Sequence, residues 1–92
     1  MNDTAMSEHL SIYPNPYAEG MLSISVSNVR IDQSASISFF DISGNLVRSN
    51  SVFLSEGNNV LRIESPEKLA PGSYLVQLNL DNSIRVSKVV IQ

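Results

Sequence analysis

Cysteine and tryptophan are both missing from this chain of 92 residues, so neither a disulfide framework nor a thiolate metal site can hold it together. That absence fits any compartment. Charge is also sparse: only 16% of the residues are Asp, Glu, Lys or Arg, against the roughly 25% usual in soluble domains. Serine and asparagine supply the missing polarity. The six basic residues are scattered singly and the net charge is −3, which argues against nucleic acid, because phosphate binding needs a clustered excess of Lys and Arg. No apolar run approaches the roughly 18 residues of a membrane helix, and the start lacks the basic-then-apolar pattern of a secretory signal. If the chain is part of a longer exported protein, the signal is expected upstream. The single histidine, His9, lies in a polar leader, away from any expected element that could orient it as a general base. No Gly-x-Ser-x-Gly elbow, His-Glu-x-x-His pair or phosphate-cradling glycine loop is present. These gaps point away from an enzyme, and no cofactor is implied.

What is there reads as strands and turns. A chain of this size supports one domain and one core, with little left over to line a deep pocket. Residues 1–9 are expected to be a disordered linker or leader, with the folded domain covering 10–92. Leu22, Ile24 and Val26 alternate with Ser23, Ser25 and Ser27, and Ala35, Ile37 and Phe39 alternate with Ser34, Ser36 and Ser38. That is the period of a strand with one buried face. Further strands are expected at Leu46 to Leu54, Val60 to Ile63, Tyr74 to Leu80 and Ile84 to Ile91. Turn residues separate them at Asp41 to Asn45, Glu56 to Asn59, Ala70 to Gly72 and Asp81 to Ser83. Ser65 as N-cap and Pro66 at the first position allow one helical turn. The pattern predicts an all-β, immunoglobulin-like antiparallel β-sandwich of about seven strands, with a small Greek-key barrel as the alternative.

The core is expected to hold Leu22, Ile24, Val26, Ala35, Ile37, Phe39, Tyr74, Val76 and Leu78, and Phe53 is read as core with them. Asp41-Ile42-Ser43-Gly44-Asn45 has a faint likeness to a calcium loop but lacks the alternating acids and terminal Glu that such loops need. It reads as a hairpin turn in which Asp41 accepts local N–H bonds and Gly44 takes a positive φ. Tyr13 and Tyr17 could stack on sugars, although Tyr near a strand end more often packs at the core edge. The prolines of Tyr13-Pro14-Asn15-Pro16 confine that segment to an edge strand entering a turn, expected to seal one end of the sandwich. A three-residue loop at Asp81 to Ser83 would set Leu80 opposite Ile84 and carry Lys88 into the core opposite Val76. Burying an unpaired charge is costly, so a β-bulge at Ser87-Lys88 is predicted, turning Lys88 and Val90 outward.

Taken in order, Tyr13-Pro14-Asn15-Pro16, Gly20 before an alternating strand, Phe40-Asp41-Ile42-Ser43-Gly44-Asn45-Leu46-Val47, Leu69-Ala70-Pro71-Gly72-Ser73-Tyr74-Leu75-Val76 and the terminal Lys88-Val89-Val90-Ile91 resemble the type A C-terminal sorting domain of the type IX secretion system. The resemblance covers residues 10–92. It implies a domain at the C-terminus of a larger cargo protein in a Bacteroidetes-type bacterium. The outer-membrane translocon would recognise it on its way from the periplasm, and a surface sortase-like peptidase commonly removes it. It also implies recognition roles for Gly72 and Tyr74 in the penultimate motif and for Lys88, Val89, Val90 and Ile91 in the terminal one. Tyr13, Pro14, Asn15, Pro16, Asp41 and Gly44 would be structural. A signal read in folded form needs an exposed strand edge or an apolar patch, and a terminal strand offers both. The competing readings are an adhesion or carbohydrate-binding module, marked by a coplanar set of exposed aromatics, and a structural spacer.

Overall fold

The computed structural model describes residues 10–81 and 83–92, and the leader expected at residues 1–9 lies outside them. Seven strands form two antiparallel sheets: β1 (Leu10–Tyr13), β2 (Leu22–Val29), β3 (Gln33–Phe40), β4 (Leu46–Leu54), β5 (Gly57–Ile63), β6 (Gly72–Asn79) and β7 (Ile84–Ile91). One sheet has the order β1-β2-β5 and the other β4-β3-β6-β7. This is the immunoglobulin arrangement of A, B and E against C, F and G, with β4 added at the edge beside β3. The proline-led turn between β5 and β6 is a short 3₁₀ helix, Pro66–Lys68. Ser65 precedes it in the left-handed region and makes no capping bond through its side chain.

The serine-spaced strands bury their apolar faces as their period requires. All nine residues expected in the core are buried between the sheets, each large one contributing roughly 1.5–3 kcal/mol. Leu10, Tyr17, Leu54, Leu69, Val89 and Ile91 join them. Phe53 does not: it is 63% exposed. It stands opposite Ser34 on the outward face of its sheet, and the following residue, Leu54, is the one buried. An apolar strand at a sheet edge shows no clear alternation, so the sequence left its phase open.

Tyr74 enters the core ring first. Its hydroxyl donates to the Ala70 carbonyl four residues upstream, the tyrosine corner of immunoglobulin-type sandwiches. The polar tip of a buried aromatic is thereby satisfied, and the crossing from β5 to β6 is pinned.

The last hairpin corrects the expected bulge. Its ladder is unbroken, with Asn79 opposite Ile84, Leu78 opposite Arg85 and Leu75 opposite Lys88. The connection therefore includes Leu80, whose N–H bonds the Ser83 carbonyl. One extra loop residue shifts the phase of the whole strand, which removes the conflict without a bulge. Val89 consequently faces Tyr74, and Ile91 faces Gly72. Lys88 and Val90 still point outward, and the charge that enters the interior is Arg85, only 4% exposed. Its guanidinium reaches across to β2, donating to the carbonyls of Ser27 and Asn28.

Candidate recognition surface

The segment after β1 crosses from its own sheet to the other. Both Tyr13-Pro14 and Asn15-Pro16 are cis, and the Asn15 side chain bonds β7 twice: it donates to the Lys88 carbonyl at 2.9 Å and accepts from the Val90 N–H at 3.0 Å. Tyr17 continues the contact. Its N–H donates to the Val90 carbonyl and its carbonyl accepts from the Gln92 N–H, both at 2.8 Å. The Tyr17 ring is buried, and its hydroxyl donates to the Gly20 carbonyl. Burial pushes this phenol above its ordinary pKa, and the carboxylates of Glu67 and Glu19 add to the effect. The proline motif thus laces the side of the sandwich, and from Lys88 onward the outer edge of β7 is occupied. A partner cannot add a strand there.

What the terminal strand does present is side chains. The registers align Leu46, Phe40, Leu75 and Lys88 in one row across all four strands of the larger sheet, on its outward face. Val90 lies beyond that row, and Val86 and Ile84 continue down β7 on the same face. Leu46, Leu75, Ile84, Val86 and Val90 are all exposed. The middle of the face is polar and internally bonded: Gln77 donates to Asn79, Asn79 to Ser36, and the Ser38 and Ser49 hydroxyls pair.

The Asp41–Asn45 turn ends this face. The Asp41 carboxylate accepts from the N–H groups of Ser43 and Asn45, both at 2.9 Å, and Gly44 has φ +89°. Those bonds, the Asn45 backbone first, hold the Asp41 carboxyl below its ordinary pKa against a smaller opposing effect of burial. The turn so fixed holds Ile42 in the open beside the apolar row. Phe40, Ile42 and Gly44 line a groove of ≈ 460 Å³ together with Ser73, Leu75 and Lys88. Three motifs far apart in the sequence therefore meet on one surface, and the fourth, through Asn15, holds the strand that carries Lys88.

A family model described as the secretion system C-terminal sorting domain matches residues 11–92. The chain belongs to this type IX sorting-domain family. No curated protein matches it. The family is one of sorting signals rather than enzymes, and it implies a cargo tail exported toward the outer membrane or cell surface.

Within the sorting domain, the residues that the resemblance assigned to recognition divide by burial. Tyr74, Val89 and Ile91 are core, whereas Gly72, Lys88 and Val90 are exposed. Sequence reasoning missed Phe40 and Leu75 as neighbours of Lys88, since only the register places them in its row. Among the described residues no cluster of acids and histidines could hold a metal, and no helix is long and apolar enough to cross a membrane. The exposed aromatics Tyr13 and Phe53 stand on different sheets, at β1 and β4. They form no common platform for a sugar.

Proposed function

We propose that this domain directs a cargo joined at its N-terminal side through the type IX translocon across the outer membrane. In this reading the translocon recognises the folded domain, and a surface sortase-like peptidase then removes it. The observation that carries the proposal is the outward row Leu46, Phe40, Leu75 and Lys88, where the Asp41 hairpin, the penultimate motif and the terminal motif meet. Contiguous exposed apolar surface around a single cation is the form of a protein-docking patch. Tyr74, Val89 and Ile91 support recognition by fixing the strands, while Lys88, Val90 and Leu75 make the contact.

The test fuses the chain to a periplasmic reporter in a type IX-competent host. Leu75→Ser with Lys88→Glu is expected to abolish surface export without unfolding the domain, whereas Val60→Ser on β5 of the other sheet leaves it intact. Export that persists without the domain overturns the sorting role. Normal export of the folded Leu75, Lys88 variant overturns the surface.

A further inference from the structure

The two sides of the sandwich are finished differently. Asn15 and Tyr17 lace β1 to β7 on one side, whereas on the other β4 and β5 each have a strand partner on one edge only. The connection between β4 and β5 is Ser55-Glu56, where the Asn59 side chain bonds the Ser55 backbone twice. The two strands then diverge into different sheets. They are tied again where the Arg48 guanidinium donates to the carbonyls of Glu64 and Ser65. Between these ties runs an open groove of ≈ 470 Å³. Its floor includes Val52, Leu61 and Ile63, which pack on the core yet remain only partly buried. Immunoglobulin constant-type sandwiches carry a fourth strand beside E at this position. Among the described residues the three-stranded sheet stops here at β5.

The rim is cationic. Arg48, Arg62 and Lys68, three of the six basic residues of a chain with net charge −3, line the groove against one carboxylate, Glu64. We infer that this side of the sandwich binds an extended acidic segment of a partner protein, added as a strand along β5. Leu61 and Ile63 face inward and Arg62 outward, so an added strand would set apolar residues over the half-buried pair and carboxylates beside the arginine. The described strands of a second copy do not match such an occupant, because none of the seven contains Asp or Glu. The surface lies on a different edge from Lys88 and is independent of the sorting reading.

Two blocked peptides test it: Thr-Val-Glu-Val-Glu-Val-Thr and its analogue with Gln for both Glu, each titrated into the isotope-labelled chain. Saturable amide shifts are expected along β4 and β5, with the Gln peptide roughly fivefold weaker, as two exposed ion pairs allow. Arg62→Glu with Lys68→Glu, both at exposed positions, should weaken the acidic peptide by at least about that factor, leaving the rest of the spectrum in place. Absence of saturable shifts, equal affinity for the two peptides, or shifts centred on β7 overturns the inference. So does inorganic phosphate that moves the same amides while the peptides do not, since that marks a simple anion site.

Discussion

Arg85 gives the sharpest test of the packing. It stands opposite Leu78 on the inward face, is almost wholly buried, and holds the Ser27 and Asn28 carbonyls, with its Nε unpartnered. Arg85→Ala removes the donors from both carbonyls, a loss of about 1–3 kcal/mol for each one that water cannot reach. It also strips a buried aliphatic stem, worth roughly 2 kcal/mol over three methylenes. Partial hydration of the carbonyls and relief of the desolvated guanidinium charge both limit the sum, and we expect about 3–5 kcal/mol. At roughly 4–8 °C for each kcal/mol in a domain of this size, the melting temperature should fall by about 12 °C or more. Arg85→Met retains the stem and should recover roughly 1–2 kcal/mol. Urea unfolding followed by circular dichroism measures both variants, with the slope unchanged if only stability has moved. A loss below about 1 kcal/mol for Arg85→Ala would show that the guanidinium is solvated and not a tie between the sheets.

The tyrosine corner predicts that Tyr74→Phe costs about 1 kcal/mol in the same assay while export of a reporter survives; export lost at unchanged stability would give the hydroxyl a contact with the translocon. Asn15→Ala should lower stability by about 1–2 kcal/mol and speed hydrogen exchange at the Val90 amide, leaving Gln77 slow; an unchanged Val90 rate would mean that the clasp does not persist in solution. Asp41 has a folded pKa depressed below its unfolded one, so its contribution is present above the ordinary carboxylate value and lost as pH falls through the folded value. Asp41→Asn should therefore flatten the acid limb of the stability curve, and a curve of unchanged shape would sink that linkage.

The strands of the inner pair were legible because Ser alternates with large hydrophobes, and both β2 and β3 bury the residues that their period marks. The Asp41 turn was legible too, since an aspartate followed by a glycine specifies its own backbone bonds. Phase was harder. In β4 both parities contain hydrophobes, and its inward positions include Arg48 and Asn50, opposite Phe39 and Ile37, because the edge opens on the groove. In the last hairpin the count of loop residues decides every position that follows, and one residue separates a buried Lys88 from a buried Arg85. Asn15 and Lys88 lie 73 positions apart. No local pattern signals their bond.

The same phase explains how the terminal motif can serve fold and recognition together. Along β7 the inward residues Arg85, Val89 and Ile91 hold the sandwich, while Ile84, Val86, Lys88 and Val90 face out. With the backbone edge taken by Asn15 and Tyr17 from Lys88 onward, a partner meets that part of the strand through its outward side chains, which belong to the row running through Leu75 and Phe40. That row exists only when β3, β4, β6 and β7 are in register, since a slip of one residue sends Lys88 inward and Val89 out. Recognition of this face, as proposed, would therefore discriminate a folded domain from an unfolded chain bearing the same motif. On that proposal the apolar side chains left in water would be the structural counterpart of the selectivity, since they lie on the face the translocon would cover.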